Sequence, residues 1–564
     1  MAKTNPAFSF KKYATYYSIL FILSVVILAP QIPFLYTEGI LKISINLLLI
    51  QSFLLIPGIL FFRKLKVYYV LLSLYCSIIP VLFLPFLIVH ESINPEIMVS
   101  VFGSTFREVY ELLGLRLLLL VLCCAAFFYA IRRLTNPFPA TISFKKAIAL
   151  SGISAITFFS ILILFANNSS TNIVKIFKSE LPQFYPFDVF INSHAVWKTY
   201  TLENNYTVNT ASFSFGAHKN AVFKKRTVQV LVIGESSRYD HWYINGYSRN
   251  TSPYLTEEQH LFSFSNVAAG ATLTYKSVPF LITKVGIDDF NSHLKEKSVM
   301  AAFKEAGFYT AWISNQDGSL KSNLAEFHTA DADTTIYTNN TVSGEQKFLT
   351  QGLYDESVLS PLHSFLHNKK EDLFIVVHLM GNHWNYKLRY PPAFNIFVPK
   401  DTNHTKVFNN YTAEELVCAY DNSILYNDFI LHAIINELKS VDACSSLLFV
   451  SDHGENLGDD GKGLYLHTAT PTYYTAHVPL FIWLSDELDK EQPAIASALL
   501  SNINKPISSA ESVFYTVLQL GGVTIKDSSN VKEHSLASGK FLSSEQRISG
   551  ESNIIYTFKN LSEH

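Results

Sequence analysis

The chain opens on apolar stretches that have no counterpart further along. Five runs, near residues 14–36, 40–62, 67–90, 112–131 and 147–167, are each long enough to cross a bilayer as a helix, which takes about 20 residues. The segments between them alternate in charge. Lys3, Lys11 and Lys12 precede the first run, Arg63, Lys64 and Lys66 separate the second from the third, and Arg132, Arg133, Lys145 and Lys146 lie between the fourth and fifth. The other loops are acidic or nearly neutral, with Glu38 beside Lys42 in one and Glu91, Glu96, Glu108 and Glu111 against Arg107 in the other. Lys and Arg accumulate in cytoplasmic loops, so the pattern predicts five spans, a cytoplasmic amino terminus and an external remainder from about residue 168. No small-residue cleavage site follows the first run, which argues for a span and against a signal peptide. Prolines at 30, 33, 57, 80 and 85 would kink isolated helices, so a packed bundle is expected. The acidic loop of 91–112 is long enough to lie at the outer interface, where Glu108 and Glu111 are candidate contacts to a lipid headgroup; a solvated turn is the alternative.

Residues 168–226 are polar but carry Phe184, Tyr185, Phe187, Phe190, Trp197 and Tyr200. That composition suits either a bridge riding the membrane–water boundary or a packed linker helix. From 227 onward the period changes to short apolar runs alternating with amphipathic stretches, which predicts a layered α/β domain over 227–564. Strands are expected at Val228–Ile233, Tyr309–Ile313, Leu373–Val377, Leu447–Val450 and Val478–Leu484. Helices are expected over 298–307, closed by Gly307, and over 354–366, 412–438 and 510–520. The predicted organisation is thus 1–167 membrane bundle, 168–226 bridge, 227–564 catalytic domain.

Composition sharpens this picture without changing it. Of 564 residues 49% are hydrophobic and 16% charged, against roughly a quarter charged in soluble domains, consistent with a part in lipid. The formal net charge of −2 argues against a nucleic-acid partner, which needs a basic face. Of five cysteines, Cys76, Cys123 and Cys124 fall in apolar runs. Cys418 and Cys444 leave at most one disulfide in the polar half, and sequence does not decide whether it forms.

Two of the expected strands end in ligand types. Val228–Ile233 runs into Gly234-Glu235, and Leu447–Val450 runs into Ser451-Asp452-His453-Gly454. Open α/β sheets place ligands at the carboxyl edge, and zinc takes nitrogen and oxygen donors there. Glu235, Asp452 and His453 are therefore candidate metal ligands. Thr274, in a loop of small residues ahead of a helix expected over Lys276–Ile282, is a candidate fourth ligand and nucleophile, because a metal makes an alkoxide accessible and a helix amino end favours a phosphoryl oxygen. From position alone, N-cap duty for Thr272, Thr274 and Ser277 is the simpler alternative. His383 and His467 are candidate proton carriers or ligands to a transient second ion. His378, His477, Asn315 and Gln316 are candidate substrate contacts, and Lys321 a weaker one.

Four blocks then carry a resemblance. GESSRYDHWYINGYSRNTSPYL, GATLTYKSVPF, HLMGNHWNYKLRYP and SDHGENLGDDGKGLYLH resemble, in order, those of bacterial phosphoethanolamine transferases, a family that includes lipid A-modifying enzymes of polymyxin resistance. The resemblance implies five membrane helices followed by an alkaline-phosphatase- or sulfatase-like domain. It implies zinc held by Glu235, Asp452 and His453, with Thr274, placed before Ser277-Val278-Pro279, as the residue that is phosphorylated. It also implies His383 and His467 on the substrate side. The implied donor is phosphatidylethanolamine and the acceptor a cell-envelope glycolipid or glycan, with the enzyme a monomer in the bacterial inner membrane, its catalytic domain periplasmic. Phosphoglycerol transfer on the same fold, or a tethered phosphodiesterase or sulfatase, are the alternatives; a formylglycine sulfatase would need a C/S-x-P-x-R motif, which is missing. Two departures stand out. Gly270 and Phe280 occupy places where many relatives carry cysteines, which puts loop rigidity in doubt, and Asp459–Leu464 differs from the best-known relatives, which puts the acceptor pocket in doubt.

Overall fold

The computed structural model describes residues 18–29, 40–84, 88, 94–104, 106–138, 140–168, 187–220, 223–316, 327–341, 353–400, 405–459, 461, 463–551 and 554–561. Pro30, Pro33, Glu38, Pro85, Glu91, Phe184, Tyr185 and Lys321 lie outside them, as do the side chain of Glu108 and the ends of the first apolar run. Two compact units divide the chain. One takes in the residues up to Met98 and Leu113–Trp197; the other takes Val99–Leu112 and everything from Lys198. The acidic segment expected at the outer interface therefore gives residues 99–112 to the second unit, and the boundary further along falls at 197.

In the first unit three helices are long and apolar enough to cross a membrane: Leu65–Leu82, Arg116–Thr135 and Phe144–Ile161. Ser18–Leu28 and Asn46–Leu55 are shorter apolar helices, so among the described residues three spans, not five, meet that criterion. The most apolar 18-residue stretch of Arg116–Thr135 has a mean hydropathy of 2.1 with only 6% of its residues buried. Leu118, Leu119, Val121 and Leu122 are all more than half exposed, a surface that only an apolar surrounding accommodates. Pro57 sits in a single 3-10 turn that ends the helix Ile40–Leu55, and Pro80 in the first turn of Ile79–Leu82; both interrupt where the missing N–H costs least.

The second unit is built on a seven-stranded sheet. Its strands are β1 (Thr227–Gly234), β2 (Leu261–Ser263), β3 (Tyr309–Ser314), β4 (Thr334–Tyr337), β5 (Leu373–His378), β6 (Cys444–Ser451) and β7 (Leu480–Leu484). They lie in the order β2-β7-β6-β1-β5-β3-β4. All neighbours are parallel except β7, which runs antiparallel to both β6 and β2. The central strand is buried along its whole length, as a sheet covered on both faces requires. Its side chains alternate: Leu231 and Ile233 join one core, Val228, Val230 and Val232 the other.

Among its helices are α1 (Phe106–Leu113), α2 (Thr274–Ile282), α3 (Leu359–Asn368), α4 (Ala413–Lys439) and α5 (Ser509–Leu520). α5 packs on the Leu231 face, α3 and α4 on the Val230 face. α4 starts at a capping box in which Thr412 Oγ1 accepts from Glu415 N, and Glu415 accepts from Thr412 N, a reciprocal arrangement that satisfies two orphan donors. Gly307 ends Val299–Glu305 with a φ of +90°, as a left-handed helix stop needs. α1 sets Leu112 against the Val230-side core and pairs Glu111 with Arg389 at 2.7 Å. The five cysteines are free thiols, Cys418 and Cys444 both buried, so no disulfide links them.

Candidate active site and metal centre

β1 and β6 are neighbours in register, with Gly234 opposite Ser451. The next residues, Glu235 and Asp452-His453, therefore emerge side by side at the carboxyl edge of the sheet. One donor atom each from Glu235, Asp452 and His453 lies within 4.8 Å of the others, and all three residues are buried. His453 Nε2 is 3.3 Å from Glu235 Oε1 and 3.3 Å from Asp452 Oδ2.

The turns after both strands are held by their own backbone. Asp452 Oδ1 accepts from His453 N at 2.7 Å and from Ser236 N at 3.2 Å, while Ser236 Oγ donates to Glu235 Oε1 at 2.8 Å. Ser236 adopts a φ of 57°, a left-handed conformation that a non-glycine residue keeps only when its surroundings insist. Gly454 is required by close approach: a Cβ there would stand 2.0 Å from the Tyr474 carbonyl oxygen.

α2 begins at Thr274, and its preceding residue Leu273 makes no side-chain cap. Thr272 Oγ1 donates to Thr468 O and Ser277 Oγ to Ala271 O, so neither caps the helix. Thr274 Oγ1 instead points at the acidic cluster, 3.2 Å from Glu235 Oε2 and 3.3 Å from His453 Nε2.

These residues fit a divalent cation. Asp452 Oδ2 is buried and accepts no hydrogen bond, and burial pushes its carboxyl up to about 6, the state of a carboxylate lacking a positive partner. Burial and the neighbouring His467 lower His453 to about 4, so its ring is neutral. His453 Nδ1 donates to Gly454 O at 2.8 Å, which leaves the Nε2 lone pair facing Thr274 and the carboxylates, as metal-binding imidazoles are held.

The histidines named from sequence separate into two groups. The His467 ring centroid lies 4.1 Å from that of His453 and 6.4 Å from that of His383, both pairs tilted, so the three imidazoles cluster, with His453 next to Thr274. His467 follows a small hairpin, Asn456–Leu457 paired with Tyr465–Leu466, whose turn includes the divergent residues from Asp459. Burial lowers its pKa. His383 Nδ1 donates to Trp384 O at 2.7 Å. His378 ends β5 beside Ile233 of β1, buried near Asp452. His477 is elsewhere: it stacks on Tyr239 at 4.2 Å and donates from Nε2 to Ser265 O, a packing role. Asn315 is consumed by the scaffold, donating to Leu353 O and Asp355 Oδ1 and accepting from Thr338 and Ser357. Gln316 donates to Leu379 O, and Glu111 is held by Arg389.

Glu455 was not anticipated. It is fully buried with neither carboxylate oxygen hydrogen-bonded, Oε1 stands 3.4 Å from His467 Nδ1, and burial pushes its pKa up to about 8. Its sequence signal was a carboxylate two places beyond a ligand histidine. Arg238 was also passed over; its guanidinium is buried, holds Asp240 and Asp459, and lies 4.0 Å from the Tyr474 ring centroid, fixing the divergent hairpin to the loop after β1.

The doubtful loop is packed. A Cβ on Gly270 would meet Ala510 at 2.7 Å and the Phe280 ring at 3.1 Å. Phe280 forms a buried cluster with Ala271, Val285, Ile287 and Ala510. Positions 270 and 280 thus lie against each other, aromatic ring over glycine.

A sulfatase family model matches residues 227–523, more than half of the chain and the whole of the sheet with its carboxyl-edge cluster. The chain belongs to the sulfatase family. Within that family it is similar to phosphoethanolamine transferase EptA of Escherichia coli (strain K12), 30% identical over 343 residues, which are 59% of this chain and 60% of that protein. The Kdo(2)-lipid A phosphoethanolamine 7''-transferase of the same strain is 28% identical over 302 residues, 52% of this chain and 50% of that protein. The chain thus spans about 60% or less of the length of these curated relatives. Among solved structures, the periplasmic domain of Escherichia coli EptC in complex with Zn matches with a TM-score of 0.54 at 26% identity, over 61% of this chain and 96% of that one. The integral membrane phosphoethanolamine transferase EptA of Neisseria meningitidis matches with a TM-score of 0.69 over 93% of this chain and 97% of that one, at 20% identity, a likeness of fold.

Proposed function

We propose that this sulfatase-family chain is a multi-pass membrane enzyme that transfers phosphoethanolamine from phosphatidylethanolamine to a cell-envelope glycolipid, lipid A or lipopolysaccharide core, through a covalent intermediate on Thr274. The observation that carries it is the Thr274 hydroxyl lying within 3.3 Å of both His453 Nε2 and Glu235 Oε2, at the amino end of α2. The similarity to phosphoethanolamine transferases supports the same reading, as does the Zn in EptC.

Glu235, Asp452, His453 and Thr274 Oγ1 would hold one zinc ion, which would supply a Lewis acid able to lower the pKa of a hydroxyl. Thr274, its hydroxyl proton passed to the His383 and His467 pair, then attacks phosphorus; the new Thr274 O–P bond forms as the bond to the glycerol oxygen breaks, and that oxygen takes the proton and leaves as diacylglycerol. The amino end of α2 faces the phosphoryl oxygens. His383 and His467, next to His453, would hand that proton over and take one from the incoming acceptor. In the second half the acceptor oxygen displaces Thr274, whose oxygen regains its proton. Five spans would anchor the chain in the membrane that holds the diacylated donor, with the catalytic unit in the periplasm. His378 and His477 are left as supports, and a transient second ion at His383 and His467 remains part of the proposal.

The test is an intact-mass measurement after incubation with phosphatidylethanolamine. The reading requires a phosphoethanolamine adduct on Thr274 and a matching adduct on envelope lipids from cells that make the chain. A phosphoglycerol adduct would move the assignment to the alternative donor, and hydrolysis without any adduct would move it to a tethered hydrolase.

A further inference from the structure

A second set of ligand-type side chains lies well away from Thr274. α3 carries His363 and His367 one helical turn apart, the spacing that puts two side chains on one face. Their ring centroids are 4.2 Å apart. Across the groove, α4 presents Glu437, and one donor atom from each of the three residues falls within 4.8 Å of the others. His363 Nδ1 already contacts Glu437 Oε2 at 2.8 Å, with the imidazole 58% exposed and the carboxylate 28% exposed. His367 Nε2 is 3.3 Å from Ser440 Oγ.

Both helices are fixed beneath these residues. Leu362, Phe365 and Leu366 of α3 are buried in the same core as Ile434, Ile435 and Leu438 of α4. The competing cation is drawn off, since Lys439 Nζ is held 2.7 Å from Glu258. The position in the fold is also clear. α3 ends at Asn368, shortly before β5 begins at Leu373, and α4 ends at Lys439, shortly before β6 begins at Cys444. Both carboxyl ends therefore lie at the amino edge of the sheet, whereas Glu235 and Asp452 follow strands at the carboxyl edge.

We propose that His363, His367 and Glu437 form a separate binding site for one borderline divalent transition ion, Zn2+ or a chemically similar ion, that clips α3 to α4 at the end of the sheet opposite the catalytic cluster. Two imidazoles and one carboxylate suit zinc, copper and nickel, whereas magnesium and calcium prefer oxygen donors alone. Three protein donors leave the remaining positions to water, so the site is weaker than a closed four-ligand structural zinc. Nothing in it depends on Thr274 or on the transfer reaction.

The experiment uses the full chain in detergent, stripped with chelator and dialysed against graded, buffered Zn2+, with bound zinc counted per chain. Wild type should hold one ion more than the variant H363A/H367A, and Glu437→Gln should shift that ion's occupancy to higher free zinc. The double variant should keep wild-type headgroup transfer, and His363→Gln alone should also lose the ion. Bound Cu2+ should show nitrogen couplings from two imidazoles in the wild type and lose them in the variant. Equal zinc counts in wild type and in both histidine variants would overturn the site, whatever the catalytic cluster does. So would loss of two ions together from the double variant.

Discussion

Thr274 Oγ1 lies 3.3 Å from His453 Nε2, and because the Nδ1 proton of that histidine is committed to Gly454 O, an imidazole lone pair faces the threonine oxygen. Replacing Thr274 by Ala removes the proposed attacking atom and leaves the three buried ligand candidates Glu235, Asp452 and His453 in place. Headgroup transfer should fall on the order of 10^4-fold or more, the covalent adduct should disappear, and zinc should still bind. Thr274→Ser keeps the oxygen and should retain measurable transfer. Chelator treatment should silence the wild type, with activity restored by added Zn2+; radiolabelled headgroup transfer reads all of these.

Glu111 and Arg389 meet at 2.7 Å, their side chains 8% and 5% exposed. Removing one partner of such a buried pair costs about 3–5 kcal/mol because the other charge is left stranded. Arg389 also faces Asp355, whose carboxylate accepts from Met380 N and Gly381 N, three and two residues ahead of His383. Glu111→Gln should therefore lower the melting temperature and the turnover number together, while an E111L/R389M double variant should regain stability. A fragment starting at residue 198 lacks Glu111 and should melt below the full chain; thermal unfolding in detergent decides.

His328 is fully buried and its pKa is lowered from 6.5 to about 3 by desolvation; its Nε2 donates to His293 O at 3.2 Å. A folded-state pKa below the unfolded one means that the unfolded chain binds the proton first. The stabilisation is complete above pH 6.5 and is lost as pH falls toward 3, at a total cost on the order of 4 kcal/mol. Melting temperature should drop through that window, and His328→Gln should flatten the slope.

Gly454→Ala would drive a Cβ into the Tyr474 carbonyl oxygen, 2.0 Å away. One of the two backbones must move, and His453 moves with it. A shift of about 1 Å in a catalytic group can cost 10^2-fold, so transfer should fall by roughly that factor while the far strands keep their amide protection in hydrogen exchange.

Much of this was legible from the chain. Buried parallel strands are continuous apolar runs, so Val228–Ile233 and Leu447–Val450 were visible together with the ligands that end them. The short edge strands were not: Thr334–Tyr337 and Leu261–Ser263 are partly exposed, and their few residues show no apolar period. Asn315 and His477 looked like site residues because polar side chains after strands often are, yet long-range partners, Asp355 for one and Tyr239 for the other, tie them into the scaffold. Glu455 was missed for the opposite reason: desolvation, which gives it its character, arises only when distant segments close over it. The place of residues 99–112 in the second unit was also hidden, since α1 alternates apolar and charged residues like any surface helix, and its partner Arg389 lies 278 positions away.

Phe280 over Gly270 has one more implication. Where many relatives are expected to rely on a cysteine pair to steady the nucleophile loop, this chain relies on a phenyl ring seated on bare backbone. Its catalytic loop should then mature without an oxidase and keep its shape in reducing medium, so that a phosphine reductant, which lacks the zinc-chelating thiols of dithiothreitol, leaves its turnover untouched.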